Sequence, residues 1–140
     1  MINFFYESVS IDLDEKRISS WIRNVIKSEG KKEGEISFIF CNDEYLLKIN
    51  QDFLNHDTYT DIISFDNSLG NELHGDVFIS HERVNENSIT YGVSQQEELR
   101  RVIVHGVLHF CGFKDKSEEE SAVMRQKEND KLEMFHVEHF

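Results

Sequence analysis

Residues 105–115 read His-Gly-Val-Leu-His-Phe-Cys-Gly-Phe-Lys-Asp. Residues four apart on an α-helix share a face, so the imidazoles of His105 and His109 can hold one metal ion between them. Gly112 can adopt a left-handed backbone, end the helix and turn the chain back. Asp115 then returns as a third ligand. Three protein ligands leave a position open for water or substrate, which is the layout of a catalytic zinc site. An ion held this way polarises a substrate oxygen and lowers the pKa of water. Arg101 lies one helical turn before His105 and is a candidate phosphate contact, as are Lys114 and Lys116 beside Asp115. Asp61 and Asp76 can orient the histidines from a second layer or, equally, cap strand ends.

The other histidines and the two cysteines read differently. Cys111, two residues past His109, points to another side of the helix and reads as a buried thiol. Cys41 stands at a strand end and reads as core. His56, His74 and His81 read as surface or packing residues, and His136 and His139 as a solvated tail.

The elements that position these residues follow from periodicity. Asn3 to Glu7 reads as a strand. Asp12 with Glu15 forms a capping-box pattern, followed by Leu13, Ile18, Trp21, Ile22, Val25 and Ile26 at helical spacing. Glu35 to Phe40 is a strand, and Asn42 caps a short helix through Phe53. Asp61–Phe65 and Asp76–Ser80 read as two strands joined in a hairpin. His81 to Tyr91 is helical. Ser94 with Glu97 opens the helix that carries His105 and His109 and ends at Gly112. Ser117 with Glu120 opens a polar helix to about Phe135. Four strands and about five helices, mixed in order, suggest one layered domain over residues 1–140, α/β or α+β.

Composition narrows the class. The chain has 140 residues, 15 basic and 27 acidic, for a net charge of −12. A basic nucleic-acid-binding domain is not the first expectation from that balance. The acidity is uneven: residues 51–98 hold ten acidic residues and one basic residue, Arg83. The segment around the histidines is near neutral, with Arg100, Arg101, Lys114 and Lys116 close by. Hydrophobic content of 39% excludes a disordered acidic chain. Two cysteines make no disulfide framework and suit a reducing, cytoplasmic compartment. The start has no basic region before its short apolar run, and nothing approaches a membrane span.

Three segments together resemble the YbeY family of bacterial rRNA maturation factors. They are the His105–Asp115 segment, Thr60-Asp61-Ile62-Ile63-Ser64-Phe65 and Gly75-Asp76-Val77-Phe78-Ile79-Ser80. Asn50 and Asp57 sit where the family's upstream loop has Asn and Asp. The resemblance implies a zinc-dependent, single-strand-specific endoribonuclease in 16S 3′ end maturation and ribosome quality control. It also implies an α+β fold with a small four-stranded mixed sheet and about five helices, one zinc ion per chain, an rRNA substrate and a ribosome-associated partner. Two positions depart from the family pattern. The family's third ligand is commonly histidine preceded by aspartate, where this chain has Lys114-Asp115. A carboxylate ligand suits zinc but lowers the formal charge of the site. The family's loop arginine aligns with Leu54 here. Two alternatives remain at the level of sequence. The spacing His-x-x-x-His-x-x-Gly-x-x-Asp also follows the extended pattern of zinc metallopeptidases. Those enzymes place a glutamate directly after the first histidine, and this chain has Gly106. The other alternative is a non-catalytic ribosome-associated factor with a structural metal.

Overall fold

Parallel neighbours in a sheet need a crossover, and the helices in this chain supply it. The computed structural model describes residues 1–55 and 59–137, so the readings of His56, Asp57 and His139 lie outside the described residues. Strand β1 (Ile2–Tyr6) leads through helix α1 (Glu15–Ser28) to β2 (Lys32–Cys41), which pairs with it in parallel. Helix α2 (Asp43–Leu54) follows, then β3 (Ile62–Asp66) and β4 (Glu72–Ser80). Strand β4 pairs parallel to β2 and antiparallel to β3, giving a mixed four-stranded sheet in the order β1-β2-β4-β3. Helices α3 (His81–Tyr91), α4 (Gln95–Phe110) and α5 (Glu118–Val137) complete the chain. The α+β class, the four strands and the five helices agree with the sequence reading.

Alternation along the strands divides the side chains between the two sheet faces. Ile36, Phe38 and Phe40 of β2 and Val77 and Ile79 of β4 join the main core. That core also takes Trp21, Ile22 and Val25 from α1 and Ile103, Val107 and Leu108 from α4. On the opposite face, α2 covers a small cluster of Cys41, Leu46 and Ile63. Helix α5 is less polar than its sequence reads: Met124 and Phe135 are buried in the main core, and the Trp21 indole N–H donates to the Lys131 carbonyl at 2.7 Å.

Several local readings are corrected. The N-cap of α1 is Asp14, whose Oδ1 accepts from the Arg17 N–H at 3.2 Å, and not Asp12. Val9, Ile11 and Leu13 pack against the core ahead of the helix, so the chain turns helical only at Glu15. Asn50, which aligns with the family's upstream loop, is a buried residue within α2, inside the helix read from Asn42 to Phe53. Strands β2 and β4 begin at Lys32 and Glu72, earlier than periodicity gives, because their N-terminal ends pair with each other outside the apolar run. The caps Asn42, Ser94 and Ser117 stand as read, each accepting from the backbone N–H three residues on.

Candidate metal centre

Helix α4 lies with one side on the sheet and another open to a cleft. Leu99, Val102, Ile103, Val107 and Phe110 are buried, while Arg101, His105 and His109 recur every four residues along the cleft side. Gly106 sets how close the helix lies to the sheet. A Cβ there would stand 3.0 Å from Val77 and 3.2 Å from Ile62. The residue after the first histidine thus faces the sheet, in a space that a glutamate side chain does not fit.

The helix ends as the sequence indicates. Gly112 takes φ +104°, and the Gly112 and Phe113 N–H groups donate to the carbonyls of His109 and Leu108. The chain then doubles back through residues 113–117. The Ser121 hydroxyl donates to the Asp115 carbonyl at 2.9 Å, tying this turn to the start of α5. The result is convergence of three donors. His105 Nε2 lies 3.0 Å from His109 Nε2 and 3.2 Å from Asp115 Oδ2, and His109 Nε2 lies 3.8 Å from the same oxygen. Two ligands about 2.0–2.1 Å from a tetrahedral ion stand about 3.3 Å apart, so this donor set has the span of a zinc site. All three donor atoms lie within 4.8 Å of one another.

The residue that orients His105 comes from a different element than expected. Glu128, on α5 and 6% exposed at its side chain, sits with Oε2 2.6 Å from His105 Nδ1. A carboxylate accepts, so Nδ1 carries the proton and Nε2 faces the other donors. The second oxygen of Glu128 accepts from Arg101 Nη1 at 2.9 Å, and Arg101 Nη2 donates to Asn129 at 2.9 Å. No motif marked Glu128. The sequence signal was only its place in the polar helix opened by Ser117 and Glu120. Asp61 lines the cleft and its charge acts on His105, without a hydrogen bond to either histidine. Asp76 stands on β4 opposite Ser37 and Phe65, and no hydrogen bond ties it to either histidine.

The electrostatics favour a cation. Burial disfavours the charged form of His105, but hydrogen bonding to Glu128 and the charges of Glu128, Asp115 and Asp61 outweigh it and raise its pKa. His109 is held below its ordinary value by burial and by the neighbouring His105. Asp61 and Glu98 are raised, first by burial; the mutual repulsion of carboxylates adds to this. The carboxylates of Glu128, Asp115 and Asp61 that act on His105 also attract a metal cation, whose binding to the histidines displaces their protons.

The remaining candidates sort by distance from this cleft. Lys114 and Lys116 are exposed in the turn around Asp115. Leu54 is the last residue of α2 and 41% exposed. Cys41 is buried, which pushes its thiol up to about 12, and burial pushes the Cys111 thiol up to about 11. His74 accepts from the Glu35 N–H and contacts Glu72, His81 begins α3, and His136 is exposed.

The family model described as "Endoribonuclease YbeY" matches residues 3–136. The chain belongs to the endoribonuclease YbeY family. A Christiangramia forsetii protein named Endoribonuclease YbeY is 58% identical over 137 residues, covering 98% of this chain and 96% of its own. A Flavobacterium johnsoniae protein of the same name is 57% identical, covering 99% of both chains. The solution structure of TM1509 from Thermotoga maritima matches 99% of this chain and 91% of its own, with a TM-score of 0.69 at 24% identity. That likeness bears on the fold. Across the described residues, no helix is long and apolar enough to cross a membrane.

Proposed function

We propose that this chain is a zinc-dependent endoribonuclease that cuts single-stranded RNA. The convergence of His105, His109 and Asp115 at the end of α4 carries the reading, and the family's name supplies the substrate class. When bound, zinc supplies Lewis-acid polarisation of a phosphoryl oxygen and makes water a nucleophile near neutral pH. The chain's own residues do the rest. His105, His109 and Asp115 hold the ion. Glu128 fixes the tautomer of His105 and balances its charge. Arg101 keeps N–H donors beyond the two given to Glu128 and Asn129, and it contacts the scissile phosphate from the cleft wall. Lys114 and Lys116 add positive potential beside Asp115. The cellular role is 16S 3′ end maturation and ribosome quality control, in the cytoplasm and with a ribosome-associated partner. The peptidase alternative loses support from the closed space at Gly106.

Purified protein incubated with single-stranded RNA and with casein, with and without chelator, tests this reading. Expected is RNA cleavage that chelator and His109→Ala both abolish. Asp115→His should keep bound zinc and Asp115→Ala should lose it. Casein cleavage would favour the peptidase. A metal-free protein that unfolds, with neither substrate cut, would favour the structural metal. Full zinc content in Asp115→Ala would remove Asp115 from the site.

A further inference from the structure

The six arginines divide into two groups. Arg23, Arg83, Arg101 and Arg125 each pair with carboxylates, at 2.8 to 3.7 Å. Arg17 and Arg100 form no ion pair among the described residues, in a chain where acidic side chains outnumber basic ones 27 to 15. These two come from α1 and α4 and meet on one ring. Their Cζ atoms stand 3.9 and 4.4 Å from the Phe135 centroid. Stacking holds a guanidinium by its face and leaves the N–H donors around its edge. The Nε of each is buried without a hydrogen-bond partner. Such an unmatched donor costs free energy, and two adjacent cations add repulsion. Burial and the neighbouring Arg17 both disfavour the charged form of Arg100.

The two guanidinium groups line a groove of about 380 Å³ between the starts of α1 and α4. His81, Gln95 and Gln96 add further donor-bearing side chains to its wall. Asp12 and Asp14 also line it, and Glu97 acts on Arg100. None of these carboxylates forms an ion pair with either arginine, and Asp14 is turned to the Arg17 backbone N–H. Consecutive helical residues project about 100° apart, so Arg100 serves this groove while Arg101 serves the metal cleft.

We propose that this groove is a second anion site that takes a phosphate group, either a phosphodiester of a nucleic-acid strand or the phosphate of a small nucleotide. Both ligands offer the oxygens that the guanidinium edges need. The proposal does not depend on the endoribonuclease reading.

Side-chain Nε–H signals of the whole protein, followed by NMR during titration with inorganic phosphate at constant ionic strength, test it. Expected are saturating shifts for Arg17 and Arg100 but not for Arg23. The single tryptophan, Trp21, packs edge-on against Phe135 at 5.4 Å and gives a fluorescence readout of the same titration. The Arg17→Gln/Arg100→Gln variant should bind phosphate at least about tenfold more weakly. Arg17→Lys/Arg100→Lys, which keeps the charge, should fall between. Shifts equal to those of Arg23, or reproduced by chloride, would overturn the site, and that comparison needs only the wild-type protein. A 2′-O-methyl oligoribonucleotide, which resists cleavage, identifies the source. Loss of its affinity in the glutamine variant assigns a strand phosphate. Unchanged affinity alongside lost phosphate binding assigns a small phosphate ligand.

Discussion

At the scale of single residues, Glu128 shows how one buried carboxylate prepares a metal ligand. It holds the Nδ1 proton of His105 and is itself held by Arg101. Burial works to raise its pKa, but hydrogen bonds and charge from His105 and Arg101 prevail and lower it, so the carboxylate stays ionised. Glu128→Gln keeps the size and removes the charge. The variant should bind zinc about 10- to 100-fold more weakly, read by competition with a chromogenic chelator. Equal affinity would show that Glu128 is only a packing group.

At the scale of elements, the position of α4 on the sheet decides where the histidines stand. Gly106 lets the helix lie close to the sheet, with Val77 and Ile62 in the path of any side chain there. Gly106→Val should cost about 1–3 kcal/mol in urea unfolding by overpacking, and should weaken zinc binding as the helix lifts. Helix α5 is tied to α1 by a separate contact. Glu29 accepts from Lys127 at 3.0 Å and Lys131 at 2.7 Å. Burial alone would raise the Glu29 pKa, but the two ammonium groups outweigh it and hold the carboxyl below its ordinary 4.5. A carboxyl depressed in the folded state stabilises the fold above its unfolded pKa. That stabilisation is lost as pH falls through the folded value. Glu29→Gln should therefore unfold more easily than wild type at pH 7, by about 1–3 kcal/mol. The gap should close as pH falls below 4.5 in the same urea experiment. A gap that does not narrow as pH falls below 4.5 would mean that packing, not charge, ties the helices.

At the scale of the whole molecule, the net charge of −12 limits how RNA can be held. Ten of the acidic residues lie between residues 51 and 98, so a strand lying across the cleft meets few cations outside the α4–α5 side. Counterion release from single strands gives a slope of about −0.7 per neutralised phosphate. Fluorescence anisotropy of an uncleavable RNA between 50 and 200 mM salt should therefore give a slope no steeper than about −2. A steeper slope would reveal a basic surface that this charge distribution does not lead us to expect.

The amino-acid sequence by itself determined the local features. Each depends on neighbours within about one helical turn: the His105–His109 face, the Gly112 reversal, the Ser94 and Ser117 caps and the strand periodicities. Asp115 was legible because the reversal is short. Tertiary structure decided what depends on contacts between distant segments. Asp14 replaced Asp12 as a cap because the preceding residues were drawn onto the core. Glu128 reached His105 because α5 folds back along α4, a placement that no spacing within α5 encodes. Arg17, Arg100 and Phe135 met for the same reason, across three helices. Burial changes both the cost of a charge and the partners it has, and burial is a property of the packed chain.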